Sequence, residues 1–247
     1  MRLDVFLYEQ GYVTSRTEAK NFIAGGAVTV DGKVINKPSF DVSSDGADIK
    51  VDKSSKKYAS RAGFKLEAAL DSFKIDVTDA LTLDVGASSG GFTDCLLQRG
   101  AKHVIAVDSG FGQMIERLRL DDRVTVIENY NARFMQGEDL EYSPSLCVMD
   151  VSFFSATYII PAVASVLADG GAFVCLIKPQ FEVGRSGLGK GGIVKNDRLR
   201  KEAVDRVTEC AVSEGLSLMG VVRSPIEGGD GNIEYLAYFR KGTMCKL

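Results

Sequence analysis

Apolar positions follow two regimes along the chain. Up to about residue 53 they come in short groups. Leu3, Phe6 and Leu7 repeat at helical spacing, and Gly11 ends that helix. Thr14-Ser15 precedes a second short helix, Arg16 to Ile23, with a Ser/Thr cap and a Gly25-Gly26 stop. Val28-Thr29-Val30-Asp31-Gly32-Lys33-Val34-Ile35 reads as two strands joined by Asp-Gly, a strong hairpin signal. A last strand, Asp48-Ile49-Lys50-Val51, follows a polar loop. From about residue 60 the period changes. Apolar runs at 81–85, 103–107, 124–127, 145–150 and 172–177 alternate with helical patterns near 90–99, 111–118 and 156–168. That alternation predicts a doubly wound, mostly parallel sheet. A helix at about 196–214 then leads to strands at 216–223 and 233–239. The turn-rich residues from Ser224 to Asn232 between them predict a reversed last strand. The expected class is α/β: a Rossmann-like, seven-stranded sheet behind a small α+β N-terminal domain.

A polar, basic stretch, Lys53-Ser54-Ser55-Lys56-Lys57-Tyr58, separates the two regimes. The expected organisation is therefore a domain over 1–53, a linker over 54–60 and a second domain over 61–247. Lys50, Lys53, Lys56, Lys57, Arg61 and Lys65 make this the most basic window of the chain. The net charge of -3 over 247 residues excludes a polycationic clamp but leaves room for a local basic face. Five cysteines without C-x-x-C spacing read as reduced thiols of a cytoplasmic protein. The single histidine, His103, opens a strand, which excludes a His-based triad or a His-rich metal site. No secretion signal is expected, and the longest apolar window, Tyr158 to Ala168, is too short to span a membrane.

Candidate chemistry gathers at the carboxyl ends of the predicted strands, where open α/β sheets bind ligands. Leu83-Asp84-Val85-Gly86-Ala87-Ser88-Ser89-Gly90-Gly91-Phe92-Thr93-Asp94 runs from a strand through a glycine-rich turn into a helix. This is either a nucleotide-cofactor loop or a tight turn without a ligand. Ser88 stands where a dinucleotide loop has its second glycine, which disfavours a nicotinamide oxidoreductase. Asp108 ends the next strand, where a ribose-binding carboxylate sits. Asn129 and Asn131 follow the third, placed either for an adenine edge or for a turn. Asp150 ends the fourth and Lys178 the fifth. That lysine is either a functional group at a cavity floor or a salt-bridge partner of Asp150. Gly184-Arg185-Ser186-Gly187-Leu188-Gly189-Lys190-Gly191-Gly192 is either a lid or a plain connection.

The N-terminal pattern, from Ser15-Arg16 through Val28-x-Val30-Asp31-Gly32 to Lys37-Pro38, resembles the small RNA-binding module of ribosomal protein S4. Arg2, Arg16, Lys20, Lys33 and Lys37, with Lys56 and Lys57 of the linker and Arg61 just after it, are the candidate RNA-binding residues. Asp4, Glu9, Glu18 and Asp31 balance that charge and keep a merely solvated face as the alternative.

Five segments resemble the TlyA family of ribosomal RNA 2′-O-methyltransferases, whose members also carry the name hemolysin A. They are Ala59-Ser60-Arg61-Ala62-Gly63-Phe64-Lys65-Leu66, Leu83 to Asp94, Asp150-Val151-Ser152-Phe153, Ile177-Lys178-Pro179-Gln180-Phe181-Glu182 and Gly231-Asn232-Ile233-Glu234. The resemblance implies an FtsJ-like, S-adenosylmethionine-dependent domain behind an S4-like one. It implies a catalytic tetrad of Lys65, Asp150, Lys178 and Glu234. Cofactor contacts would come from Asp84, Gly86, Ser88, Ser89, Gly90, Gly91, Phe92, Asp108 and Asn131. In that reading Lys178, held by Asp150 and Glu234, orients a ribose 2′-hydroxyl and accepts its proton or stabilises the alkoxide. No metal is required, because a sulfonium is already an activated leaving group. Asp150-Val151-Ser152-Phe153 differs from the Asn/Asp-Pro-Pro-Tyr/Phe that grips planar amines, which favours a ribose oxygen over a base nitrogen. The expected partner is ribosomal RNA or a ribosomal subunit, met by a cytoplasmic monomer. A membrane-active hemolysin and a catalytically silent RNA-binding assembly factor are the alternatives.

Overall fold

The computed structural model describes residues 1–13, 15–42, 46–52, 57–228 and 231–242. Lys53, Lys56, Cys245 and the first part of the expected linker lie outside the described residues. The chain divides into two compact units, Met1–Ala62 and Gly63–Leu247.

In the first unit, helices α1 (Leu3–Glu9) and α2 (Arg16–Ala24) precede strands β1 (Val28–Val30), β2 (Lys33–Val34) and β3 (Ile49–Val51). The strands form an antiparallel sheet in the order β2-β1-β3. Asp31 and Gly32 both have positive φ, 50° and 75°, the backbone that a two-residue hairpin turn requires. Leu3, Leu7, Ala19, Ile23 and Val28 are wholly buried and form the core of this unit.

The second unit starts on α3 (Ala62–Phe73) and continues through β4 (Leu81–Val85), α4 (Gly91–Gln98), β5 (His103–Val107), α5 (Glu116–Arg119) and β6 (Val124–Ile127). Then come β7 (Leu146–Met149), α6 (Ile160–Val166), β8 (Ala172–Ile177), α7 (Pro179–Glu182), α8 (Asp197–Ser213), β9 (Leu216–Arg223) and β10 (Tyr235–Lys241). The sheet runs β6-β5-β4-β7-β8-β10-β9, as the seven-stranded expectation required. β4 to β8 are mutually parallel, whereas β10 is antiparallel to both neighbours. Every residue of β7 and β8 is buried, the continuous apolar run of a strand covered on both faces. The strand order reverses between β4 and β7, so a crevice opens beyond their carboxyl ends.

Two helices differ from the sequence pattern. Of the stretch 111–118, only Glu116–Arg119 is helical. Gly112 has φ 66°, and Gln113 folds back so closely on Gly110 that a Cβ there would meet its amide. The stretch 156–168 is divided: Ala156–Tyr158 forms a 3-10 turn, and α6 follows with Pro161 in its first turn, where a missing N–H costs nothing.

Candidate active site

A cavity of about 400 Å³ lies at the point where the strand order reverses. Gly86, Ser88, Asp108, Tyr130, Asn131 and Asp150 are among its walls. Gly86 has φ 85°, and a Cβ there would stand 2.5 Å from the Asp150 carbonyl oxygen, so only glycine lets the two loops meet. Asp108 is fixed from both sides. Its Oδ2 accepts from the Ser88 backbone N at 2.8 Å and its Oδ1 from the Gly110 N at 2.7 Å. The Ser88 hydroxyl donates to Gln113 Oε1 at 3.0 Å, closing a polar rim that the sequence pattern did not reveal. Asn131 Oδ1 accepts from the Arg133 N at 3.1 Å, so this residue caps the turn Ala132–Phe134 while it lines the cavity. Asn129, with φ 55°, is a turn residue.

Asp84, Ser89, Gly90, Gly91 and Phe92 lie outside that lining. Gly90, at φ 93°, turns the chain into α4, and Phe92 is buried beneath it. Asp84 is fully buried. One carboxylate oxygen accepts from Thr93 Oγ1 at 2.6 Å, and the other has no hydrogen-bond partner. Burial pushes this carboxyl up to about 7; the Thr93 hydrogen bond opposes that rise and the charge of Asp150 adds to it.

The four ionisable residues of the expected tetrad form two pairs. Lys65 Nζ donates to Glu234 Oε2 at 2.5 Å, both side chains being nearly inaccessible. Lys178 Nζ lies 2.5 Å from Asp150 Oδ1. Glu234 thus pairs with Lys65, where the resemblance implied a hold on Lys178. The reason is topological: the reversed strand begins where the parallel strands end. Tyr235 stands in register with Ile177, which sets Glu234 beside the end of β8 and within reach of α3.

The loops after β7 and β8 are also braced further out. Glu182 accepts from Ser155 Oγ at 2.5 Å and from the Ala156 N at 2.8 Å, and burial raises its carboxyl above the usual range. Lys178 Nζ donates to Ser152 Oγ at 2.7 Å. Sequence reasoning passed over Ser152, although its position two residues after Asp150, in the loop beyond a strand end, was the available signal.

In the first unit, buried Asp4 accepts from Arg2 Nε at 2.9 Å and from Arg16 Nη2 at 3.1 Å, leaving both guanidinium groups half-exposed. Lys20, Lys33, Lys37 and Lys57 are exposed. Arg61 is held back by the Gly25 carbonyl, to which its Nε donates at 3.2 Å. Lys56 lies outside the described residues.

Residues 58–241 match the FtsJ-like methyltransferase family and residues 1–49 the S4 domain. The 16S/23S rRNA (cytidine-2′-O)-methyltransferase TlyA of Mycobacterium tuberculosis is 40% identical over 98% of this chain and 90% of its own length. Hemolysin A of Brachyspira hyodysenteriae is 42% identical over 97% of this chain and 99% of its own. A hemolysin-named structure from Streptococcus thermophilus superposes with a TM-score of 0.78 at 44% identity, over 98% of this chain and 88% of that one. Aeropyrum pernix fibrillarin, solved with S-adenosyl-L-methionine, shares the fold alone: TM-score 0.52 and 21% identity, over 72% of this chain and 75% of that one.

Proposed function

The chain belongs to the FtsJ-like methyltransferase family, with an S4 domain ahead of the catalytic one, and from that premise we propose that it methylates a ribose 2′-oxygen of ribosomal RNA. The Lys178–Asp150 pair carries the reading, because Asp150 also walls the cavity and so sets the lysine beside it. S-adenosylmethionine fits the residues present. The volume suits a nucleoside-sized ligand, glycine at 86 admits close backbone approach, and Asp108 is fixed at the end of β5 to receive ribose hydroxyls. Gly86, Ser88, Asp108 and Asn131 are the residues to hold it. When bound, it supplies a methyl group already activated as a sulfonium.

The protein's own task is to present a weak nucleophile and to remove its proton. A ribose 2′-hydroxyl is poorly nucleophilic until that proton leaves. Lys178, as an ammonium, donates an N–H to the hydroxyl oxygen and stabilises its developing negative charge, while the Asp150 carboxylate takes the proton on to solvent as the oxygen–carbon bond forms and the methyl–sulfur bond breaks, its electron pair staying on the departing thioether. Both groups are largely removed from water, with side-chain exposures of 11% and 16%, which strengthens their mutual field. Lys65, fixed by Glu234, adds positive charge near the same strand ends. The first unit supplies backbone-phosphate contacts through Arg2, Arg16, Lys20, Lys33 and Lys37. Lys57 and Arg61 add to those contacts. Such a substrate places the reaction in the cytoplasm. Among the described residues no helix is long and apolar enough to cross a membrane, so nothing in the structure favours the hemolysin reading.

The test is transfer of labelled methyl from S-adenosylmethionine to purified small and large ribosomal subunits, followed by mapping of 2′-O-methyl positions. Incorporation by the native chain and its loss in Lys178→Ala are expected. Incorporation that survives Lys178→Ala, or none into any subunit or precursor, overturns the reading.

A further inference from the structure

Lys178 has two partners in the structure, and they act differently. Asp150 Oδ1 is 2.5 Å away and supplies the counter-charge. The ammonium also donates a hydrogen bond to Ser152 Oγ, at 2.7 Å. Asp150 and Ser152 therefore fix the ammonium from two directions, one with a charge and one with a neutral hydroxyl. Both come from the short loop that follows β7. The intervening Val151 is buried, packs against the core close to Gly86 and lines the same cavity. Ser152 shares the cavity wall with Asp150 and Gly86.

We infer that Ser152 is a positioning residue for methyl transfer, acting through Lys178; this rests on the reading of Lys178 as the group that handles the 2′-hydroxyl. A lysine side chain has four rotatable bonds and about 2 kcal/mol of rotamer entropy, so a single ion pair leaves its head free to pivot about that one contact. A serine hydroxyl sits one bond from its Cβ and is a rigid acceptor by comparison. With one N–H committed to Ser152 and the charge held by Asp150, a remaining N–H direction is defined for the substrate oxygen. A displacement of about 1 Å at a reacting centre is enough to cost roughly 100-fold in rate, so this second anchor matters for turnover more than for binding.

The test compares the native chain with Ser152→Ala, Ser152→Thr and Lys178→Ala. Steady-state methyl transfer to ribosomal subunits, cofactor affinity by calorimetry and the thermal midpoint are measured on each. The Ser152→Ala chain is expected to lose roughly 10- to 100-fold in kcat. Its KM values, cofactor affinity and midpoint should stay near those of the native chain, and Ser152→Thr should recover most of the rate. A kcat equal to the native one overturns the proposal. So does a loss shared by KM or by the midpoint, or a threonine variant no better than the alanine one. A second readout is independent of turnover. The side-chain ammonium ¹H–¹⁵N resonance of Lys178, assigned by its absence in Lys178→Ala, should be slowed in exchange in the native chain and lost to rapid exchange in Ser152→Ala. An unchanged resonance counts against Ser152 even if no subunit is methylated, which separates this failure from failure of the functional reading.

Discussion

Lys65 and Glu234, 169 positions apart in sequence, close a buried ion pair at 2.5 Å. Removing one partner strands the other charge away from water. Glu234→Ala is therefore expected to cost about 3–5 kcal/mol of stability, and Lys65→Met with Glu234→Met together much less, because no charge remains buried. Denaturant titration distinguishes the two. The double variant should fold and yet transfer no methyl group; an active double variant would show that the pair is structural only.

Gly86→Ala tests the close approach of the two loops. The new Cβ would stand 2.5 Å from a backbone oxygen at Asp150, in a left-handed conformation costing about 1–3 kcal/mol on its own. Gly90→Ala meets instead the Cδ1 of Leu118, a side-chain atom that can rotate away. The expected order in thermal midpoint and in cofactor affinity is native, Gly90→Ala, Gly86→Ala. A reversed order would mean that the loops do not meet as described.

Asp84 gives stability a pH dependence of definite sign. Its carboxyl is raised from 3.8 to about 7, so the folded state holds the proton more tightly than the unfolded chain does. The favourable contribution is complete below about pH 4 and is lost as pH rises through 7. Asp84→Asn keeps an acceptor for Thr93 and has nothing to titrate. Relative to the native chain it should gain stability as pH rises from about 4 to 7 and hold that gain above 7, by up to a few kcal/mol, since each tenfold change in proton affinity between the folded and unfolded states is worth about 1.4 kcal/mol. Urea titrations of both chains across that range make the comparison, and a stability difference that is flat with pH would refute the assignment.

Arg2 and Arg16 share one buried carboxylate, Asp4, and keep their outer N–H groups half in solvent. That arrangement suits phosphate contact. Arg16→Ala should weaken RNA binding and lower the slope of log K against log salt by about 0.7 to 0.9, the value of one phosphate contact. Filter binding across a salt series checks it. An unchanged slope would assign Arg16 to the internal balance of the unit alone.

The strands were legible because most are buried on both faces and leave uninterrupted apolar runs, as in Val104-Ile105-Ala106-Val107 and Phe173-Val174-Cys175-Leu176-Ile177. Asp84, Asp108, Asp150 and Lys178 could be singled out for the same reason, since each polar residue follows or interrupts the end of such a run. Partnership was less legible. The pairing of Glu234 with Lys65 depends on where α3, ahead of the first strand of its unit, passes the start of the last one, and no local pattern encodes that. The stretch 111–118 misled because its apolar spacing is helical while Gly112 adopts a left-handed backbone. Ser152 was hidden by its ordinariness: a serine after a strand signals nothing until a lysine from another strand is found upon it.

The reversed orientation of β10 has a consequence in time as well as in space. A ribosome delivers β4 to β8, with Asp150 and Lys178 at their ends, well before it delivers Glu234. Until then Lys65 has no counter-charge from Glu234, and β8 has an open edge where β10 will lie. The growing chain therefore carries the glycine-rich loop, Asp150 and Lys178 while the ion pair between α3 and the start of β10 is still unmade. Insertion of the antiparallel strand is the step that covers the edge of β8 and brings Glu234 to Lys65, so the last strand to be made completes the ion pair of the first helix of its unit.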